Sequence, residues 1–238
     1  MDRDGAVQRI ADKVGFRSDL TVKIQTALQD VQDELERATA LPWFLIQENT
    51  PFSIIAPVPP TAAPQEYPLP TGFIRETDYH DGNLRYQQNV PGPTFFLEKM
   101  DLMPAENYFF GRRISRWNEN IQIIVTEDTQ FTPGIPMVYV LRERTVRVYP
   151  GPDKNYTYLW DFYAHDAVLV GGNLTNQWLT YAPWLLISKA GLLVATDLRD
   201  NEALQYFAGI EQNAMRSFAA LEYERLRAGR AFAMGRRL

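Results

Sequence analysis

Leu20, Ile24, Leu28, Val31, Leu35 and Ala38 recur at steps of three and four, which places them on one face of a helix over residues 19–38. Ser18 is positioned to cap that helix, with Asp19 favourable beside its positive end. A shorter amphipathic stretch, Val7, Ile10, Ala11 and Val14, precedes it and stops at Gly15. Leu41-Pro42-Trp43 closes the helical start, because a residue before proline disfavours the helical region.

The pattern then changes. Seven prolines (51, 57, 59, 60, 64, 68 and 70) crowd residues 50–71, which predicts an extended, outward-lying run. Strand-like segments follow. Residues 73–79 and 84–89 flank Asp81-Gly82-Asn83 and predict a hairpin. Residues 121–126, 137–141, 145–149 and 156–164 are β-branched or aromatic, the last carrying Tyr156, Tyr158, Trp160, Phe162 and Tyr163. Met100, Met103 and Tyr108 suggest a short helix broken near Pro104. The strands are expected to form one antiparallel sheet or a sandwich, with Trp160 and Phe162 buried.

Helical periodicity returns in the last sixty residues. Thr175 is placed to cap residues 176–181. Pro183 fits the first turn of a helix over 184–198 that is apolar nearly all round, hence central. Asp200 or Asn201 starts a third helix, where Leu204, Phe207, Ala208, Glu211, Met215, Phe218 and Leu221 form one stripe. Segregated helices and strands predict an α+β fold. The expected form is a bundle of N- and C-terminal helices with a large antiparallel β-rich insertion. Its boundaries fall at 1–42, 43–170, 171–228 and a basic tail, 229–238. Leu28, Val31 and Leu35 are expected to meet Leu192 and Phe218.

Composition narrows the chemistry. The 238 residues contain no Cys, which excludes disulfides, thiolate metal sites and a cysteine nucleophile. The net charge of −5 disfavours a free duplex-DNA binder. The polar opening residues Met1-Asp2-Arg3-Asp4 predict no secretory signal, so the two glycosylation-like triplets at Asn155 and Asn173 carry no weight. No apolar run is long enough for a membrane span. No phosphate loop, dinucleotide loop or nucleophile elbow is present, and no cofactor is implied.

Two histidines remain. His80 with Asp78 and Asp81 reads first as a polar turn, and His165 with Asp161 and Asp166 as a satisfied strand end. Arg112, Arg113, Arg116 and Trp117, beside Phe109 and Phe110, mix basic and aromatic residues as a nucleic-acid platform or a protein interface would. An enzyme with its site near His80 or His165, and a single-strand nucleic-acid binder using residues 112–117, stay open on these residues alone.

The C-terminus is the least ordinary stretch. Arg225, Arg227, Arg230, Arg236 and Arg237 occur without one acidic residue, interleaved with Phe232 and Met234. Gly229 and Gly235 are expected to loosen it. Arginines pair carboxylates through a bidentate fork, and an unbound tail gains nothing by exposing Phe. These seven residues are the candidate partner-binding set. No catalytic or metal residue is assigned.

Segments of the chain resemble a known family. They are the order Val146-Arg147-Val148-Tyr149-Pro150-Gly151-Pro152, the strand 156–163, Asn173-Leu174-Thr175-Asn176-Gln177-Trp178-Leu179 and Tyr181-Ala182-Pro183-Trp184-Leu185-Leu186. With Leu41-Pro42-Trp43 and Leu69-Pro70-Thr71-Gly72-Phe73-Ile74-Arg75, this order is similar to the head-to-tail adaptor (tail tubular, tail accessory) proteins of short-tailed bacteriophages. The resemblance implies a non-enzymatic structural protein of the virion. It implies a homo-oligomeric ring, usually twelve-fold, between the portal protein and a tail or nozzle protein. DNA would pass through its lumen without tight binding, and the C-terminal segment would reach into the portal.

Overall fold

A computed structural model of the chain describes residues 1–15, 19–38, 40–61, 63–77, 84–87, 94–102, 105, 114–117, 120–123, 133–169 and 174–235. The class is α+β, as expected. The chain forms two compact units, one of residues 1–45 with 165–238 and one of residues 46–164.

The first unit is helical. α1 (Arg3–Val14) starts where the Asp2 side chain accepts from the Gly5 N–H, and ends at Gly15, whose φ of +81° suits glycine. α2 (Leu20–Glu36) buries Leu20, Ile24, Leu28 and Val31 as its periodicity predicts. Asp19 makes no side-chain cap there, and Ser18 lies outside the described residues. α3 (Gln177–Tyr181) corrects the expected cap: Asn176, not Thr175, accepts from the Leu179 N–H at 2.9 Å. An extended residue one place further on brings its carbonyl side chain over the third helical N–H. α4 (Pro183–Leu198) opens on Pro183. α5 (Asn201–Gly235) is capped by Asp200, which accepts from Glu202 and Ala203 N–H at 3.1 and 3.0 Å. Its 35 residues span about 52 Å at the helical rise.

α4 is central, packing against α1, α2, α3 and α5. It buries Leu185, Leu186, Ile187, Ala190, Val194 and Ala195. Two details differ from expectation. α2 meets α4, the helix of Leu192, as expected, but Phe218 of α5 packs on Phe44 and Trp178. Leu35, Leu192 and Phe218 are only half-buried. Lys189 on α4 lies between Glu34 of α2 (3.6 Å) and Glu211 of α5 (3.4 Å).

The second unit holds strands β1 (Ile46–Ile54), β2 (Gln65–Pro68), β3 (Phe73–Glu76), β4 (Leu84–Gln87), β5 (Thr94–Phe96) and β6 (Glu98–Lys99). It continues with β7 (Ile114–Trp117), β8 (Asn120–Ile123), β9 (Val138–Arg142), β10 (Thr145–Tyr149) and β11 (Tyr156–Ala164). One sheet runs β1-β11-β4-β5, with β3 also on β11; a second runs β2-β10-β9-β6; β7 and β8 pair as a ribbon. Phe52, Leu84, Tyr158, Trp160 and Phe162 of the first sheet share one core with Tyr139, Val146 and Val148 of the second, which makes a sandwich. Trp160 and Phe162 are buried as predicted, and Pro59 and Pro60 are exposed. Gly151 is overlain by the backbone of residues 61 and 63 so closely that a Cβ there would stand 2.0 Å from the Thr61 carbonyl oxygen.

Three strand expectations are corrected. β3 and β4 are not a hairpin pair, since both run antiparallel to β11 and therefore parallel to each other. Glu76 faces Phe162 and Leu84 faces Trp160, so the chain leaves the ladder and rejoins it two residues along β11. The Asp81-Gly82-Asn83 turn lies outside the described residues, as do Met103, Pro104 and Tyr108. The sheets are not wholly antiparallel, because β6 runs parallel to β9. Residues 98–99 are strand, not helix, and among the described residues of the expected short helix Leu102 and Ala105 have helical backbone.

Candidate functional site

Five of the seven expected partner-binding residues, Arg225, Arg227, Arg230, Phe232 and Met234, lie on α5. Arg236 and Arg237 lie outside the described residues. Gly229, expected to loosen the chain, sits inside the helix, which runs on to Gly235.

Among the described side chains of α5, burial is confined to its start. Ala203 and Phe207 are 3% and 1% exposed, but no described residue from 208 to 224 is buried. The single stripe expected from the sequence is thus divided. Phe218 leans on Phe44 and Trp178, whereas Met215, Leu221 and Tyr223 stand in the open. The loose packing leaves a groove of about 380 Å³ between the α3–α4 junction and α5. Tyr181 and Trp184 form one wall; Tyr206, Ile210, Phe218 and Leu221 form the other. These α5 residues recur at helical spacing, so the groove follows the helix axis. The spacing was visible in the sequence, but which neighbour would fail to cover it was not.

Charge is polarised along the groove. At its beginning, the Arg9 guanidinium lies 4.8 Å from the Trp184 ring centroid and the Lys13 ammonium 4.6 Å from that of Tyr206. Past its far end, Glu222 and Glu224 follow Leu221. Glu222 accepts from the Trp43 backbone N–H at 3.3 Å. Without residues 225–238, the helical unit carries fifteen Asp and Glu against nine Lys and Arg; those last fourteen residues carry five Arg and no acid.

A scan of protein-family models and a search of curated proteins both returned no match.

The other polar clusters are internally engaged. In the helical unit the Glu36 carboxylate is buried, with Oε1 accepting from Gln32 Nε2 (2.9 Å), Trp178 Nε1 (3.0 Å) and Asp166 N–H (3.3 Å). Its Oε2 lies 2.7 Å from His165 Nδ1. His165 therefore pairs with Glu36 and not with Asp161 or Asp166, although it does sit just after a strand end. Asp166 instead accepts from the Ala167, Gln177 and Trp178 N–H groups. Burial pushes its carboxyl above the usual range against the pull of those donors, and neighbouring Glu36 adds to the rise. The sequence held one clue to Glu36: with Gln32 it interrupts the apolar face of α2, at i and i+4.

Asp161 serves the strand unit. It receives both Nη groups of Arg85 and the Asn49 N–H at 2.6 Å, and Arg85 also reaches Asn49 Oδ1 at 2.5 Å. Asn49 has φ +55° within a bulge of β1, so one carboxylate holds the bulge against β11 and β4. Inside the sandwich Glu76 accepts from Tyr139 Oη (2.5 Å) and Trp160 Nε1 (3.2 Å), and meets Lys99 Nζ at 2.7 Å. Among the described residues no three His, Asp or Glu converge on a metal position. Asp78, His80, Asp81, Phe109, Phe110, Arg112 and Arg113 lie outside the described residues, while Arg116 and Trp117 fall on β7. Among the described residues no helix is long and apolar enough to cross a membrane.

Proposed function

We propose that the chain is a structural protein of a bacteriophage virion, a ring-forming adaptor that joins the portal of the head to the tail. The observation that carries this reading is α5, a long helix in which no described side chain from 208 to 224 is buried, with apolar side chains exposed beside a groove. A helix in that condition suits a chain completed by neighbours. The order of aromatic and proline segments, similar to the adaptor family, supports the same reading. So does the charge: a mildly acidic wall would let DNA slide, because each cation–phosphate contact adds affinity and would hold the genome back. The basic end of α5 would dock on the portal, with Phe232 as apolar anchor and the arginines on carboxylates.

Electron microscopy of the purified protein mixed with portal rings tests this. The expected image is a second ring stacked on one end of the portal. Portals that stay bare at saturating protein would refute it.

A further inference from the structure

We propose that residues 165–169 form a strap that lets go of the helical unit as one piece while the helices stay folded, and that Asp166 sets how often it does so.

The first argument is how the strap is held. Its five residues belong to no helix or strand. Gln29, Gln32 and Glu36, at i, i+3 and i+7 on one face of α2, grip it from one side. The Leu169 N–H donates to Gln29 Oε1 at 2.9 Å, and Gln32 Nε2 donates to the Asp166 and Ala167 carbonyls at 3.4 Å each. Glu36 takes the Asp166 N–H on one oxygen and faces His165 Nδ1 with the other. At the opposite side the Asp166 carboxylate accepts from the Gln177 and Trp178 N–H groups, and Asn176 Nδ2 donates to the Ala167 carbonyl at 3.3 Å. The grip is polar, and water can replace it. Only Leu169 is a buried apolar side chain; Val168 is 46% exposed. Release therefore uncovers little apolar surface. The clips also share atoms: Gln32 and Glu36 bind each other as well as the strap. Loosening one loosens the rest, as coupled networks do.

The second argument is charge. Glu36 and Asp166 are two carboxylates drawn into one cluster. Among the described residues no Lys or Arg pairs with either, and His165 is the one cationic partner, on Glu36. The surrounding charges are few. Asp33 on α2 is held by Gln29, Arg3 of α1 lies 3.5 Å from the Leu169 carbonyl and beside Asp4, and α3 contributes none. Burial and then the Glu36 charge hold the Asp166 carboxyl above its ordinary range, against the pull of the N–H donors. The docked strap thus binds that proton more tightly than the released one. Docking is favoured while Asp166 is protonated, and release grows as pH rises through the raised value.

The strap governs the length of one of the two links between the units, which the chain makes at Leu45–Ile46 and Ala164–His165. At the first, Leu45 is buried and β1 starts at the next residue. At the second, release adds five residues of free chain, up to about 17 Å when extended.

Hydrogen-exchange NMR on the full chain tests this. In the parent, the Asp166, Leu169 and Gln177 amides should share one opening constant, larger than that of Ile187 and Val194 in α4. Gln29→Ala, which removes the acceptor of Leu169 alone, should raise that constant about three- to tenfold at all three amides and leave α4 unchanged. After correction for intrinsic exchange, the constant should grow with pH in the parent and stay flat in Asp166→Asn. Faster exchange at Leu169 alone in Gln29→Ala would overturn the single-piece release, as would equal opening of α4 and the strap. A pH slope in Asp166→Asn equal to that of the parent would remove Asp166 from control.

Discussion

The ring of Phe207 on α5 occupies the place that a Cβ on Gly191 of α4 would need: three of its carbons lie 2.6–2.7 Å from that point. Helix propensity alone favours alanine over glycine by about 0.5–1 kcal/mol. The contact reverses that sign. Gly191→Ala must push Phe207, a ring 1% exposed, out of its seat. A net loss of about 1–3 kcal/mol is expected, read as a lower melting temperature. A higher melting temperature would mean that α4 and α5 can part without cost.

Asp161 is the acceptor for both Arg85 and the Asn49 N–H. Its side chain is 10% exposed and that of Arg85 is 16%, so solvent compensates little. Asp161→Ala strands a guanidinium and should cost about 3–5 kcal/mol in denaturant melts. Adding Arg85→Met should recover part of the loss, since the stranded charge is gone. Strict additivity of the two changes would contradict the coupling.

Asp166 gives a pH signature. Its carboxyl is raised in the folded state, mainly by burial. The folded protein therefore binds the proton more tightly than the unfolded chain does. That stabilisation is complete below the ordinary carboxylate pKa and is lost as pH rises through the raised folded value. Asp166→Asn keeps an acceptor for the Gln177 and Trp178 N–H groups but cannot titrate. The stability of the variant relative to the parent should rise as pH is raised from below the ordinary carboxylate range to above it. A difference that stays flat across that window would rule this out.

The basic end separates charge from burial. Arg236→Ala with Arg237→Ala should weaken portal binding at low salt and have little effect at high salt, where the pairs are screened. Phe232→Ala should weaken it at any salt, by about 1.5–3 kcal/mol for a buried aromatic anchor. Calorimetric titration at two ionic strengths reads both. Identical salt slopes for the two variants would show that the arginines do not pair.

The sequence revealed what is local. Three- and four-residue steps located α1, α2, α4 and the start of α5, and the alternation in residues 145–149 and 156–163 located β10 and β11. It misled where two segments compete for a distant third. β3 and β4 flank a turn signal, yet both are claimed by β11, some eighty residues on. The sequence does not single out Glu36, because its partners, Asp166 and Trp178, arrive from the far end of the chain. The expected stripe on α5 is apolar apart from Glu211, yet among its described members only Phe207 is buried. Periodicity, however, reports what a helix offers and not what its own chain supplies to cover it.

At Gly151 the backbone of the proline-rich run rests directly on the chain, with the Thr61 and Ala63 carbonyl oxygens 2.0 and 2.4 Å from where any side chain would begin. This position can hardly drift. As related sequences diverge, exposed Pro59 and Pro60 are free to be replaced, whereas glycine at 151 should persist and keep a fixed spacing from the aromatic strand behind it. In evolutionary terms that residue is an anchor point, by which remote kin of this chain could be recognised after the rest of the loop has become unalignable.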